Sequence, residues 1–397
     1  MFVVVVLLVT SILYGYVGAR VIAPFDISGP GLLIFWGIVI FLAITPISGM
    51  VLRIRGSENT FNDILLWVGF TGMGIFSLAF VTFLVRDLSW ITGSLSIKLI
   101  SYFSDQESQS FQMDPERRQF LLMSMNIAIV GFTGLLGGFG LFQATRRPNI
   151  IKQPITINTL PESLNGLRIV QVSDLHIGPT IKADYARTVV NLVNELNADL
   201  IFFTGDMVDG SVDHLTNDVE PLREMKAKHG KYFVTGNHEY YSGADRWVEK
   251  VRELGMTPLM NEHVILNIDG ESLAIAGVTD LMAHRVIKSH QSDPQKAVAG
   301  IPGNIPTLLL AHQPGSADQT NGLKIDLMLS GHTHGGQFIP FNLALARIEK
   351  YPAGLYQHGE MQVYVNRGTG YWGPPLRLGI PSEITLVELH SKQKSLS

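Results

Sequence analysis

Cysteine is absent from all 397 residues. Disulfides, zinc–thiolate sites and thiol catalysis are therefore excluded. No long basic run exists and the net charge is −4, so nucleic acid is not an expected partner. Neither an internal repeat nor a low-complexity tract is visible, which argues against a solenoid. Charge itself is missing from long stretches of the first 150 residues, whereas the remainder has ordinary globular composition.

Four of those stretches reach the ~20 apolar residues needed to span a bilayer. They are Met1 to Gly18, Ile27 to Leu52, Ile64 to Val85 and Gln119 to Thr145. The last carries Gly131, Gly134, Gly137, Gly138 and Gly140, which permit close helix contact. Met1 to Gly18 lacks the basic start of a secretory signal and runs on into further apolar stretches, so it reads as a first helix. The amphipathic stretch Leu88 to Phe103 either lies in the membrane interface or extends the third helix. Residues 1–148 thus read as an all-α, multi-pass membrane region of about four helices. Four spans put both chain ends on one side. Arg53, Arg55, Arg146, Arg147 and Lys152 would lie there, against Arg20, Arg86, Lys98, Arg117 and Arg118 opposite. The count is even. The pairs Arg53/Arg55 and Arg146/Arg147 favour a cytoplasmic second half, although Arg117/Arg118 is a comparable pair opposite.

Residues 149–167 read as a linker that leads into a first edge strand around Ile155. From 168 to 391 strands and helices alternate, and then strands cluster. Strands are expected at Arg168 to Val172, Leu200 to Phe203, Tyr232 to Val234, His263 to Ile268, Leu273 to Val278, Thr307 to Leu310, Ile325 to Leu329, Gln362 to Val365 and Ile384 to Leu389. Helices are expected at Ala183 to Leu196, Leu215 to Ala227 and Trp247 to Leu254. Such an order predicts a layered α/β domain with two sheets.

Five polar stretches follow apolar strands. They are Asp174-Leu175-His176, Gly205-Asp206 with Asp209 beyond, Gly236-Asn237-His238-Glu239, His312, and His332-Thr333-His334 within SGHTHGGQ. Residues i and i+2 of an extended chain face one way, so His332 and His334 address one point in space, as do Asp174 and His176. The carboxyl ends of strands are where open α/β sheets build their sites. Asp174, His176, Asp206, Asn237, His312, His332 and His334 offer oxygen and imidazole and no sulfur. That set suits manganese, iron or zinc and is too imidazole-rich for magnesium or calcium. Seven side chains are too many for one divalent ion but suit two if a carboxylate bridges them. Asp206, freed by the glycine before it, is the natural bridge. Two ions roughly 3.5–4 Å apart hold an activated water and clamp an in-line displacement at phosphorus. Singly, each residue has a bland reading as a cap, turn or loop residue. Their joint placement does not.

The ordered series DLH, GDMVD, GNHE, AH and GHTHGGQ resembles the calcineurin-like metallophosphoesterase superfamily. The ending and the apolar N-terminus are similar to its membrane-associated bacterial members. The resemblance covers about Arg168 to Leu389. It implies a four-layer α/β/β/α fold, one ion on Asp174, His176, Asp206 and His334, and a second on Asp206, Asn237, His312 and His332. It also implies that His238 steadies the phosphate and helps protonate the leaving group, a role that suits a histidine titrating near neutral pH. Glu239 stands where many members carry aspartate. Asp209 reads as an orienter of a ligand.

Two further stretches stay open. Asn366 to Gly379, with Arg367, Arg377, Tyr371 and Trp372, is either a rim over the metals with a phosphate-binding arginine or a loop closing the second sheet. Leu281 to Pro302 is either a substrate lid or a solvated loop. The function expected is a membrane-anchored two-metal phosphohydrolase acting on a phosphodiester, pyrophosphate or phosphomonoester, with a phosphorylated small molecule or a lipid-linked or nucleotide-linked substrate as partner. The alternatives are a phosphoprotein phosphatase and a metal-binding receptor or scaffold without turnover.

Overall fold

A computed structural model of the chain describes residues 2–25, 27–103 and 114–392. They divide into two compact units, one of residues 1–57 and 64–141 and one of residues 58–63 and 142–397.

The first unit is helical: α1 (Phe2–Ile22), α2 (Pro30–Ile54), α3 (Thr60–Phe103) and α4 (Pro115–Thr145). α2, α3 and α4 are long and apolar enough to cross a membrane, and α1 contributes the shorter apolar run Leu7–Ile22. The choice left open at Leu88 to Phe103 is resolved, because α3 runs unbroken through it. At ~1.5 Å per residue its 44 residues extend about 66 Å, well past the ~30 Å of hydrocarbon. Arg86 and Asp87 interrupt its apolar run and are paired rather than bare. Asp87 accepts from Tyr16 Oη (2.7 Å) and pairs with Arg20 (2.7 Å) and Arg86 (2.7 Å).

The second unit stacks two six-stranded sheets. The first is ordered β1 (Asn149–Ile157), β12 (Glu383–Ser391), β2 (Leu167–Val172), β3 (Leu200–Thr204), β4 (Lys231–Val234), β5 (Thr257–Pro258). The second is ordered β10 (Gly354–His358), β11 (Met361–Val365), β9 (Leu327–Ser330), β8 (Thr307–Leu310), β7 (Glu271–Gly277), β6 (Glu262–Ile268). β2, β3 and β4 run parallel, as do β7, β8, β9 and β11. Alternation along each strand separates two faces. Ile169, Leu200, Phe202, Leu308, Leu310, Leu327 and Leu329 form the layer between the sheets. Val170, Val172, Ile201 and Phe203 face outward under α5 (Ala183–Glu195), α6 (Val212–Val219) and α8 (Ala244–Glu253), which bury Val189, Leu215 and Trp247 on them. Leu309, Met328 and Val363 face the opposite outer layer, which includes Ala297 of α9 (Pro294–Ala297) and Ala317. The mixed α/β, four-layer arrangement is the one expected.

The edge strand expected around Ile155 is β1, which begins at Asn149 and pairs in parallel with β12, and two local readings change. The helix expected from Leu215 to Ala227 is α6, which starts at Val212 and gives way to a 3₁₀ turn, Glu220–Glu224, around Pro221, whose missing N–H cannot continue it. Three short helices went unforeseen, α7 (Asn237–Ser242), α9 and α10 (Phe341–Ile348).

Candidate dinuclear metal centre

The parallel strands β2, β3, β4, β8 and β9 end at one edge, so the loops after them converge from both sheets. Hydrogen bonds lock the loops together. Asp174 N–H donates to Gly205 O (3.0 Å) and His176 N–H to Asp206 O (3.1 Å). Across the sheets, His332 N–H donates to Asp174 Oδ1 (2.9 Å), and Gln171 Nε2 donates to Ser330 O (2.9 Å). Asp174, His176, Asp206, His332 and His334 all adopt positive φ, between 50° and 71°. Such backbone strain in non-glycine residues persists only where the surroundings over-determine it, and it concentrates at functional sites. Glycine is required beside them. A Cβ on Gly236 would sit 2.6 Å from Asp206 N, and one on Gly331 would strike the Asp174 carboxylate.

All seven candidate ligands come together. Asp174, His176 and His334 form one group and Asp206, His312 and His332 another, each with its donor atoms within 4.8 Å of one another. Asn237 Oδ1 joins the second group, 3.2 Å from His312 Nε2. Asp206 Oδ2 belongs to both, at 3.1 Å from His312 Nε2 and 3.8 Å from His176 Nε2. His312 Nδ1–H donates to Thr204 O (2.8 Å) and His176 Nδ1–H to Asp209 Oδ1 (3.1 Å), which leaves both Nε2 lone pairs facing inward. There they meet other imidazole nitrogens: His176 Nε2 and His334 Nε2 lie 3.0 Å apart, and His312 Nε2 and His332 Nδ1 3.1 Å. Converging lone pairs and carboxylate oxygens, with no sulfur, fit divalent cations of the borderline class. Burial, with the Arg377 charge beside it, holds His334 well below its usual value, and burial together with His312 lowers His332 to about 3. Both therefore favour the neutral imidazole, whereas at His312 the Asp206 carboxylate outweighs burial and holds the ring well above its usual value.

His238 stands beside the two groups. Its N–H donates to Asp206 Oδ1 (2.9 Å), its Nδ1 is 2.5 Å from Asp209 Oδ1, and its Nε2 is 4.0 Å from Asp206 Oδ2. Burial opposes its protonation, but the charges of Asp206 and Asp209 outweigh this and raise it to about 9. Asp209 thus holds the Nδ1 edges of His176 and His238 with a single oxygen. The exposed rings of Tyr241 and Trp372 stand edge-on to His238, with centroids 5.4 and 5.8 Å away.

The sequence named two residues without revealing what they do. Glu239 is fully buried and accepts from Gly236 N (2.7 Å), Met207 N (2.8 Å) and Asp206 N (3.0 Å), cross-bracing the loops that carry Asp206 and Asn237. Arg377 is fully buried and donates to the carbonyls of Arg367 (2.8 Å), Gly370 (2.5 Å), His334 (3.2 Å) and Gly368 (3.3 Å). Its Nη groups are spent on these carbonyls and on His334 Nδ1 (3.0 Å), its buried Nε has no partner, and Arg367 is held by Glu383 (2.8 Å). The stretch Asn366 to Gly379 therefore supports the site from behind with its arginines and reaches the opening with Trp372.

A profile described as calcineurin-like phosphoesterase matches residues 167–336. An uncharacterized metallophosphoesterase of Helicobacter pylori strain J99 is 36% identical over 80% of this chain and 82% of its own length. A zebrafish (Danio rerio) transmembrane protein with metallophosphoesterase domain is 39% identical over 65% of this chain, and its cattle (Bos taurus) namesake 37% identical over 70%. The matches span 61% and 65% of those two vertebrate proteins, so this chain covers less than two thirds of their length. The chain belongs to the metallophosphoesterase family, and its apolar helices and transmembrane relatives associate it with membranes.

Proposed function

We propose that the chain is a multi-pass, membrane-anchored phosphohydrolase that uses two divalent ions, of manganese, iron or zinc. One observation carries this reading: Asp206 Oδ2 lies 3.1 Å from His312 Nε2 and 3.8 Å from His176 Nε2, and Asp206 is grouped both with His312 and His332 and with His176 and His238. Asp174, His176, Asp206 and His334 would hold one ion, and Asp206, Asn237, His312 and His332 the other. Such a pair, when bound, supplies Lewis acidity toward a phosphoryl oxygen and ionises water near neutral pH. The chain's own residues do the rest. Thr204 O and Asp209 fix the tautomers of His312 and His176, while strained backbone aims the ligands. His238, protonated and oriented by Asp209, holds a proton at Nε2 for the departing alkoxide. Membrane attachment favours a lipid-linked or nucleotide-linked phosphate ester or pyrophosphate, and the arginine pairs favour a cytoplasmic catalytic unit.

The test uses the full chain in detergent, stripped of metal and reloaded with manganese. Bis-p-nitrophenyl phosphate and p-nitrophenyl phosphate are assayed in parallel, beside Asp206→Asn. Metal-dependent turnover lost in Asp206→Asn is expected, and the preferred compound separates diesterase from monoesterase. Folded protein that binds no metal would overturn the reading. Folded protein that binds two ions yet turns over neither these compounds nor phosphopeptides would favour a receptor or scaffold.

A further inference from the structure

His238 has two aromatic neighbours that the proposed reaction leaves unused. Tyr241 is 71% exposed with its ring centroid 5.4 Å from that of His238, and Trp372 is 53% exposed at 5.8 Å. Singly exposed apolar residues are ordinary, but the segments that carry these two are anchored. Tyr241 is on α7, the helix that begins with Asn237 and His238. Its neighbour Tyr240 is buried, with Oη 3.2 Å from His290 Nδ1. Trp372 follows Tyr371, also buried, whose Oη donates to Thr180 O (3.1 Å). One side chain then clamps the Trp372 backbone from both ends. The Trp372 N–H donates to Gln337 Oε1 (2.9 Å), and its carbonyl accepts from Gln337 Nε2 (3.0 Å). Gln337 is itself buried and sits at φ 59°, a left-handed conformation that costs a non-glycine residue energy. It lies three residues beyond the candidate ligand His334, so the loop that carries that ligand also places Trp372. Among the described residues neither Tyr241 Oη nor Trp372 Nε1 has a hydrogen-bond partner.

We propose that Tyr241 and Trp372 form a leaving-group subsite that stacks a nucleobase. The leaving oxygen must come within about 3 Å of His238 Nε2 to take its proton. Whatever that oxygen carries is then within reach of both rings, since each stands against the same imidazole. Flat rings meet aromatic side chains in offset-stacked or edge-to-face contact, and every base has a face to offer. A base also brings edge donors and acceptors for the unpartnered Oη and Nε1. An acyl chain laid across the same rings would strip water from both polar tips and give them no partner. The subsite rests on the phosphohydrolase reading and narrows its substrate to the nucleotide-linked class.

The test reads binding and needs no turnover. The 5′-methylene phosphonates of adenosine and of ribose share the phosphonate and the sugar, differ in the base, and cannot be hydrolysed. Each is titrated by calorimetry into the full chain in detergent, loaded with manganese, and metal content is measured by elemental analysis in every sample. Wild type should bind the adenosine compound roughly tenfold more tightly or better, the range expected of one stacked base. Tyr241→Ala and Trp372→Ala should each shrink that preference several-fold while the ribose compound and the metal content stay as in wild type. Trp372→Phe should keep most of the preference, and the quenching of indole fluorescence by the adenosine compound should be lost from it. Equal binding of the two compounds by wild type, or a preference that survives both alanine variants, would overturn the subsite and leave the phosphohydrolase standing. Tighter binding of octylphosphonate, lost in the same variants, would assign the rings to an acyl chain and equally overturn it. No bound metal, or two bound ions with no affinity for any of these phosphonates, would overturn the phosphohydrolase reading and the subsite with it.

Discussion

Replacing Glu239 by glutamine changes one atom and should loosen the metal centre without touching a ligand. Its carboxylate receives three buried backbone N–H groups: Oε2 takes Gly236 and Asp206, and Oε1 takes Met207. Glutamine can keep its carbonyl toward the first two. Its NH₂ then faces the Met207 N–H, donor against donor, at a site with no exposure. An unpaired buried donor costs about 1–3 kcal/mol, and two are created, so the loss before compensation is about 2–6 kcal/mol. Part is returned, because burial and the nearby Asp206 charge push the Glu239 carboxyl up to about 8, and glutamine carries no charge to repel. For a unit of this size, a Tm decrease of about 4–10 °C follows. Thermal unfolding of the full chain in detergent, with and without manganese, measures it, and metal content by mass spectrometry reports whether Asp206 has shifted. Glu239→Asp should fall at least as far, since a carboxylate one methylene shorter cannot span the two loops. An unchanged Tm and two retained ions in Glu239→Gln would refute the bracing role.

Three other outcomes are expected. His238→Ala should lower kcat by roughly 10²–10⁴ on esters with poor leaving groups and far less on p-nitrophenyl esters, whose leaving group needs no proton, and parallel assays on the two ester types read this. Gly236→Ala forces a methyl against Asp206, so the purified protein should hold fewer metal ions than wild type by elemental analysis. Arg377→Met removes the donors from four buried carbonyls and should cost about 3 kcal/mol or more, seen as a lower Tm. If instead its Tm is unchanged and its KM for phosphate esters rises, Arg377 binds substrate.

The ligand set was readable because each member directly follows an apolar strand, and parallel strands that end at one edge leave their loops little freedom. Asp174 and His176 fall in one group as the extended-chain period predicts, but His332 and His334 fall in different groups, and the structure places all four at positive φ rather than in extended backbone. The layered fold was readable from strand–helix alternation, as in Val170 and Phe203 facing outward while Ile169 and Phe202 face the second sheet. What stayed hidden depends on contacts distant in sequence. Glu239 resembles a modest departure from a motif until Met207 and Asp206 are seen to point their N–H groups at it. Arg377 resembles a phosphate ligand until four carbonyls close around it. The edge strand around Ile155 was readable but its partner β12, more than 220 residues later, was not; Pro154 is tolerated because β1 is an edge strand.

That pairing sets an order of events during synthesis. β12 lies between β1 and β2, so β2 has no neighbour on that side until residues 383–391 have left the ribosome. By then all five loops that carry the candidate ligands have been made, and β1 waits beside an empty slot. A ribosome that stalls before β12 would leave a strand edge open to pairing with another chain, the hazard that sheet proteins ordinarily cover. The sheet that carries Asp174, Asp206 and Asn237 therefore becomes whole only when residues 383–391 are in place.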